Sequence, residues 1–163
     1  MARKIFTAIL CLSLLFSLTA CGATPAPNAG TVEPSESISY ESVEGTKIKM
    51  TTANTEVVIT LNGSKAAADL VKMLPLELTL IERNSFAKGM TLPQQLSSEE
   101  ATTREYEIGD FGYWNAGPDL AIFYGDIYEQ TIVEVIPLGH ADSGAETMAN
   151  EEGTVRIEVL SAK

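Results

Sequence analysis

The feature that most constrains the fold of this chain is a series of short segments in which apolar and polar residues alternate. In the first segment, Ile48 and Met50 alternate with polar neighbours. Because successive strand residues point to opposite faces of a sheet, this alternation predicts a strand with one buried face. The same alternation, or a short apolar run bounded by turn residues, predicts further strands at residues 57–61, 76–80, 111–115, 120–124, 132–138 and 155–159.

Two short segments have the periodicity of helices. Ser64 is placed to cap a helix whose apolar residues recur at helical spacing, and Pro75 prevents its continuation. Ser143 and Glu146 have the spacing of a capping box, which predicts a second helix through about Asn150. Many short strands, two short helices and regular turns predict a mainly β fold. We expect a small closed or nearly closed antiparallel barrel, because closure removes exposed strand edges.

The N-terminus predicts export. Arg3 and Lys4 precede an uncharged apolar run at residues 5–18, which is the order typical of a secretory signal peptide. The Leu-Thr-Ala-Cys sequence that ends at Cys21 resembles the lipobox of bacterial lipoproteins, in which the cysteine is lipidated and begins the mature chain. We therefore expect residues 1–20 to be a lipoprotein signal peptide and Cys21 to anchor the protein at the extracytoplasmic face of a bacterial membrane. The alternative is an ordinary signal peptide that leaves this cysteine as a free thiol.

Residues 21–45 predict a disordered tether, because they are rich in Pro, Ser, Thr and Glu and contain few large apolar residues. The remaining residues, 46–163, have the size of one domain. Loss of the signal peptide removes two positive charges and shifts the net charge from −11 to about −13. Because such an acidic chain repels phosphates and anionic headgroups, we expect no nucleic-acid partner and membrane attachment only through lipid. Cys11 also leaves, so no intramolecular disulfide can form.

Residues 82–105 show no sustained periodicity and are rich in polar and turn residues. They are interpreted as one long loop and as the first place to look for a binding edge. Phe86, Met90 and Leu92 within it either fold inward to cap the barrel or line a groove for a peptide or small ligand. Nearby acids form either a solvated face or a rim that selects cationic ligands. These acids are Glu99, Glu100, Glu105 and Glu107.

Five motifs follow the order of the predicted elements, namely LPLELTL, GDFGYW, LAIFYGD, IPLGHADSGAETMA and GTVRIEVL. Together they resemble the bacterial cyclophilin-like domain family, over about residues 47–160. The resemblance implies a small cyclophilin-like β-barrel in a family whose members mostly have no assigned activity. His140 is a modest departure, because members often carry a basic residue after the Leu-Gly pair.

The resemblance also raises prolyl isomerisation, because cyclophilins present an arginine that hydrogen-bonds the substrate backbone and weakens its amide resonance. The sequence GDF at residues 109–111 looks like the segment that follows their proline pocket. An ungapped comparison then places Glu99 where the arginine is needed and charged residues at the pocket positions. A carboxylate repels the carbonyl oxygen that a guanidinium attracts. A gap in the alignment, within the long loop, is needed to bring Arg83 or Arg104 to the position of the catalytic arginine. An isomerase or folding factor of the envelope is therefore kept as the alternative function.

Other chemistry has little support in these residues. His140, Asp142 and Ser143 lie close in sequence, but a triad must converge through space with an oxyanion hole, and the serine is better explained as a helix cap. One histidine and no free thiol leave nothing for a zinc site, and the acids near Asp119 lack the spacing of a calcium loop. We therefore expect no metal ion and no cofactor.

The stretch GDFGYWNAGPDLAIFYGD contains the only tryptophan, Trp114, and is interpreted as two strands joined by a tight turn. The preferred function is an exported, membrane-tethered, non-catalytic module of the cell envelope that binds a peptide or small molecule. A purely structural role in the envelope is the third reading, and the oligomeric state is open. The candidate ligand-binding residues are Arg83, Phe86, Met90, Arg104, Glu107 and Trp114.

Overall fold

A computed structural model describes residues 40–160. The described residues form nine strands, one α-helix and one 3₁₀-helix. In chain order these are β1 (Lys47–Thr51), β2 (Glu56–Leu61), α1 (Lys65–Met73), β3 (Leu76–Thr79), β4 (Ile81–Arg83), β5 (Ala87–Thr91), β6 (Asp110–Trp114), β7 (Asp119–Phe123), β8 (Ile136–Ala141), the 3₁₀-helix (Ala145–Asn150) and β9 (Thr154–Val159).

The strands form one antiparallel sheet that is nearly closed into a barrel. Their order across the sheet is β3-β9-β1-β2-β8-β6-β7-β5-β4, and the neighbouring strands pair in antiparallel fashion. The two edge strands, β3 and β4, follow one another in the chain and contain only 4 and 3 residues. The predicted mainly β barrel is therefore confirmed. Its remaining edges are too short to present a long row of unpaired backbone groups.

The alternating segments form strands as predicted. In the hairpin of β1 and β2, Ile48 pairs with Ile59 and Met50 pairs with Val57. All four of these side chains are fully buried, whereas the residues between them are partly or fully exposed. β9 continues the same face, since it pairs with β1 on one side and with β3 on the other. One face of each of these strands thus lines the barrel interior.

Helix α1 packs its apolar face into the interior cluster through Ala66, Ala67 and Leu70. The predicted cap is present, because the Ser64 hydroxyl accepts a hydrogen bond from the Ala67 N–H at 3.1 Å. A carboxylate oxygen of Glu100 accepts the Ala66 N–H at 2.6 Å, so this acid satisfies the first turn of the helix. Among residues 40–160, no helix is long and apolar enough to cross a membrane.

The prediction that residues 82–105 form one long loop is wrong, because they include the end of β4 and the whole of β5. β5 lacks alternation since both of its faces are covered. Ala87 packs in a cluster on the outer face, whereas Met90 packs in the interior. A strand buried on both faces carries no period-two signal. Met90 and Leu92 therefore fold inward, the first of the two alternatives for them.

The predicted strand at residues 132–138 is displaced toward the C-terminus. β8 begins at Ile136 and continues through Gly139 to Ala141. Ile132 is 81% exposed, because this part of the chain runs outside the sheet and only Val135 makes a single bridge, to Thr103. Gly139 lies inside this strand rather than after it. Glycine is needed at this position because the Thr60 backbone approaches too closely to leave room for a Cβ atom.

The second predicted helix is a 3₁₀-helix, and Ser143 does not cap it. Its N-cap is Gly144, which has a φ of 80° and provides no side-chain hydrogen bond. Ala145 and Met148 are the buried residues of this segment. Their spacing of three residues matches the three residues per turn of a 3₁₀-helix, so this geometry places both against the interior cluster.

Candidate functional site

A second apolar cluster lies on the outer face of the sheet. Met90 and Ile122 point into the barrel interior, so their strand neighbours on β5 and β7 face outward. Thr103 and Val135 exchange two backbone hydrogen bonds of 2.9 Å. The segments that contain these two residues cover the outward-facing side of the sheet. The buried members of the outer cluster are Phe86, Ala87, Ala121, Phe123 and Val135, and Tyr106 and Trp114 pack against them.

Beside this cluster lies a surface groove of about 450 Å³. One side is formed by β4 and the residues after it, the second by the end of β6 and the start of β7, and the third by residues 131–133. The groove brings together three of the six candidate residues, Arg83, Phe86 and Trp114. Its other lining residues are Glu82, Asn84, Ala116, Gly117, Asp119, Thr131, Ile132 and Val133.

Arg83 is held in the groove by a polar network. Its Nη2 donates to Asp119 Oδ2 at 2.6 Å, and the Thr91 hydroxyl donates to the other carboxylate oxygen at 2.5 Å. The guanidinium carbon lies 5.6 Å from the centre of the Trp114 ring, within the range of a cation–π interaction. Gly89 leaves room for this side chain, since a Cβ there would lie 2.7 Å from Arg83 Nε. The arginine therefore depends on glycine at this position.

Two buried nitrogen atoms at the groove have no hydrogen-bond partner among the described residues. They are Arg83 Nε and Trp114 Nε1. Nearly all buried polar groups in proteins are paired, and a buried donor without a partner costs about 1–3 kcal/mol. Two such donors on neighbouring side chains are therefore unfavourable for the fold unless an acceptor from outside residues 40–160, such as water or a ligand, reaches them.

Lys88, a buried lysine on β5, lies opposite Glu82 of β4 and forms an ion pair with it. Lys88 Nζ donates to Glu82 Oε2 at 2.7 Å and lies 5.6 Å from the centre of the Tyr124 ring, while the tyrosine hydroxyl donates to Glu82 Oε1 at 2.7 Å. Burial by itself raises the pKa of Glu82, but the hydrogen bonds from Lys88 and Tyr124 outweigh it and lower this pKa. Burial and the neighbouring carboxylate raise the pKa of Tyr124 to about 12. Glu82 is therefore ionised at neutral pH and balanced by Lys88.

Residues 131–133 are fastened by Arg104 rather than by sheet pairing. Arg104 Nε donates to the Thr131 carbonyl at 2.7 Å, and the Arg104 carbonyl accepts the Thr131 N–H at 2.8 Å. Thr131 is buried, whereas Ile132 and Val133 are 81% and 40% exposed. Arg104 thus lies outside the groove but positions its exposed apolar side.

Met90 and Glu107 lie away from the groove. Met90 is fully buried inside the barrel. Glu107 is exposed, and its backbone N–H donates to Asp110 Oδ2 at 2.8 Å. A smaller cavity of about 240 Å³ lies nearby, with Glu105 and Tyr106 in its lining.

The histidine region forms two separate polar contacts. His140 Nδ1 lies 2.9 Å from Asp110 Oδ1, whereas Asp142 is bound by Lys47 at 2.5 Å and by the Thr60 hydroxyl at 2.6 Å. The histidine and Asp142 therefore have different partners and do not form the relay of a triad. Within residues 40–160, no group of three or more His, Cys, Asp or Glu side chains is placed to hold a metal ion.

Sequence reasoning did not include eight of the lining residues among the candidates, and three of these, Asp119, Ile132 and Val133, matter most for the groove. Asp119 is separated from its partner Arg83 by 36 residues, so no local pattern predicts their contact. Ile132 and Val133 have the apolar character of a strand and are predicted as one, yet they are exposed. The only signal for them in the sequence is an apolar pair just after the polar residues 129–131.

Comparison with known proteins bears on the fold. The sequence matches the profile of the cyclophilin-like family over residues 50–159. The solution structure of the hypothetical protein AF2241 from Archaeoglobus fulgidus is similar, with a TM-score of 0.62 and 18% identity, and the match covers 74% of this chain and 98% of that one. The structure of McbB in complex with tryptophan has a TM-score of 0.54 and 12% identity, over 71% of this chain and 45% of McbB. No curated protein matches the chain.

Proposed function

The chain belongs to the cyclophilin-like family, and we propose that its domain is a non-catalytic binding module for a peptide or small molecule, tethered to the outside of a bacterial cell membrane. The groove that contains Arg83, Phe86 and Trp114 is the observation that carries this proposal. Ligand sites are usually concave and mostly apolar, with a few fixed polar groups. The groove has this composition, with exposed Ile132 and Val133 on one side and the arginine network on the other.

The contacts of Arg83 favour binding without catalysis. An isomerase needs a guanidinium that strengthens its hydrogen bond as the substrate amide twists. Arg83 Nη2 is already engaged by Asp119 at 2.6 Å, and Arg104 is committed to the Thr131 carbonyl at 2.7 Å. Prolyl isomerisation is the second candidate function, because Arg83 shares the groove with the apolar Phe86.

An isomerisation assay separates these two functions. We expect the full chain to leave the rate of X-Pro isomerisation in a short peptide at its uncatalysed value. Acceleration that Arg83→Ala abolishes would sink the non-catalytic role and establish the isomerase. Arg156→Ala is the matched control, since it changes an arginine on β9 that lies outside the groove.

Binding is tested by thermal unfolding of the full chain with a series of uncharged apolar peptides and with free tryptophan. Tryptophan is included because the similar structure of McbB contains it. A ligand specific to the native state raises Tm, and the increase grows with the logarithm of ligand concentration above Kd. We expect at least one compound to raise Tm in the unmodified chain and to lose this effect in Trp114→Ala. A series without any stabilising compound contradicts the binding role.

The proposed tether depends on residues 1–39, which lie outside the described part of the chain. We propose a lipoprotein signal peptide at residues 1–20 and a lipidated cysteine with a disordered tether that begins at residue 21. The predicted end of the tether at residue 45 is too far along the chain, because Val43 packs against the interior cluster and the Gly45 N–H donates to the Leu61 carbonyl at 2.9 Å, so residues 40–45 belong with the barrel domain. The Leu-Thr-Ala-Cys sequence supports the division at Cys21, and the several acyl chains of a lipoprotein cysteine anchor firmly. Cys21→Ala should move the protein from the membrane fraction to the soluble fraction. Cys11→Ala is the matched control, and retention of the Cys21→Ala protein in the membrane contradicts the anchor.

A further inference from the structure

The groove contains two buried donors without partners among residues 40–160, beside carboxylates whose oxygens are all engaged. Each carboxylate oxygen of Glu82 and Asp119 already accepts a hydrogen bond, whereas Arg83 Nε and Trp114 Nε1 have no acceptor among residues 40–160. We infer that the groove takes an uncharged ligand whose carbonyl oxygen accepts hydrogen bonds from these two nitrogens, and whose aromatic or aliphatic body lies against the exposed apolar side. The inference rests on the proposed binding role and specifies its ligand class.

The carboxylate oxygens at the groove are occupied by the domain itself. Asp119 accepts from the Thr91 hydroxyl at 2.5 Å and from Arg83 at 2.6 Å. Glu82 accepts from the tyrosine hydroxyl and the lysine ammonium behind β4, both at 2.7 Å, and from the Ser85 N–H at 3.0 Å. A ligand donor that approaches either carboxylate must therefore compete with contacts already made.

The free donors belong to side chains in contact with each other, since the Arg83 guanidinium lies 5.6 Å from the centre of the Trp114 ring. Both line the groove. Neither nitrogen touches solvent in the described state, so a ligand reaches them when the indole or guanidinium turns, a change of rotamer that is common at binding surfaces. A carbonyl oxygen that approaches both donors then removes the cost of leaving them unpaired.

The charges around the groove disfavour a charged ligand. Arg83 is paired with Asp119, and Glu82 is paired with Lys88, so the formal charges of these four residues balance. An anion finds no unpaired cation among them and is repelled by a chain whose net charge is −11. A cation finds both carboxylates engaged. An uncharged acceptor avoids both disadvantages.

The exposed apolar side of the groove selects the body of the ligand. Ile132 and Val133 line it together with Phe86, and the Phe86 ring is in edge contact with that of Tyr128, 5.4 Å between centres. Large apolar side chains grouped in the open mark a surface that another molecule covers. A phenyl or branched aliphatic group of the ligand buries this surface while its carbonyl meets the donors.

Three compounds with the same phenyl body separate the charge classes. N-acetyl-phenylalanine amide is uncharged, N-acetyl-phenylalanine carries a carboxylate, and phenethylamine carries an ammonium group. Calorimetric titration of the full chain should give a roughly millimolar Kd for the amide, as expected for a compound of this size. Both charged compounds should bind at least about ten-fold more weakly.

Two substitutions test the donors. Trp114→Phe keeps an aromatic ring but removes its N–H, and Arg83→Lys keeps the positive charge but removes the Nε–H. Each should weaken binding of the amide about five-fold, the effect of one neutral hydrogen bond. Ile127→Ala, at an exposed apolar residue outside the groove lining, should leave the affinity unchanged. Circular dichroism verifies that all three variants are folded.

The outcomes distinguish the ligand class from the binding role. Equal or tighter binding of a charged compound overturns the inference and leaves the binding role intact. Unchanged affinity in both Trp114→Phe and Arg83→Lys overturns the assignment of the two nitrogens. If none of the three compounds binds, the inference fails alone when the peptide series still raises Tm, and both proposals fail when it does not.

Discussion

The barrel interior and the groove on the outer face differ in almost every physical property. The interior is filled by large, fully buried apolar side chains such as Ile59 and Ile122. The outer face beneath the groove combines small strand residues, including Ala87, Gly89 and Ala121, with the rings of Phe86 and Phe123. It also carries an ion pair and two donors that have no partner among the described residues. The interior is therefore the main source of stability. Because the interior supplies this stability, the outer face can retain unpaired donors and exposed apolar side chains that contribute little to folding.

Two matched isoleucine substitutions should give the largest contrast between these regions. Ile122→Ala removes buried methyl groups from the interior and should lower the free energy of unfolding by about 3 kcal/mol. Ile132→Ala removes the same atoms from the exposed side of the groove and should change it by less than about 0.5 kcal/mol. Denaturant unfolding measures both values. Similar losses in the two variants contradict the division between a stabilising interior and a binding surface.

Two matched glycine substitutions test how closely the covering chain lies on the outer face. A Cβ at Gly112 overlaps the Val135 side chain, whereas a Cβ at Gly117 meets no atom within 4 Å. Gly112→Ala should therefore cost about 2 kcal/mol, typical of overpacking, because residue 135 and its neighbours must move. Gly117→Ala should be nearly neutral. A neutral Gly112→Ala in denaturant unfolding would show that residues 131–135 are easily displaced.

The ion pair behind β4 should contribute less than either steric effect. Glu82→Gln leaves the buried Lys88 ammonium without its carboxylate and should cost about 1.5 kcal/mol, moderated because Glu82 is partly exposed. Glu99→Gln, at an exposed acid, is the control. Chemical unfolding at neutral pH measures the difference. Equal stability of the two variants contradicts a stabilising role for the buried lysine pair.

The same pair predicts a pH dependence. Because the folded state lowers the pKa of Glu82 from its ordinary value of 4.5, its ionisation stabilises the fold above that value. The contribution is lost as the pH falls through the lowered pKa. Acid unfolding of Glu82→Gln should therefore show a smaller loss of stability below about pH 4.5 than the unmodified chain. An identical acid slope in both proteins contradicts the shift.

A surface pair far from the groove network provides the smallest expected effect. Lys47 and Asp142 are 2.5 Å apart, with side chains 46% and 41% exposed. Hydrogen bonds from Lys47 and Thr60 lower the pKa of Asp142. Asp142→Asn should nevertheless cost only about 0.5 kcal/mol, because solvent screens the pair. The loss should become still smaller in high salt. A loss well above this value would contradict the view that the pair is screened and contributes little to stability.

The barrel interior could be predicted from the sequence because its pattern is local. β1, β2, β3 and β9 each alternate between a core face and an exposed face, so their residues reveal both strand and orientation. β5 could not be recognised in this way, since Ala87 and Met90 are buried on opposite faces. Gly89 hides it further, because glycine is read as a turn residue although here it makes room for an arginine.

The groove could be predicted only in part, because it depends on contacts between distant residues. Arg83, Phe86 and Trp114 come together as a lining. The contact between Arg83 and Asp119, however, depends on the pairing of β5 with β4 on one side and with β7 on the other. Met90 was an equally plausible lining residue by type. Its place in the strand turns it inward, a choice of face that an irregular pattern does not reveal.

Trp114 is the only tryptophan among the 163 residues, and it lies at the groove beside the Arg83 guanidinium. All indole fluorescence of this protein therefore originates at one place. Emission from the unlabelled chain carries no background from the barrel interior, so its wavelength and quenching follow the surroundings of a single ring. The fold thus supplies an intrinsic optical reporter, with which occupancy of the groove can be followed in solutions of the purified, unlabelled protein.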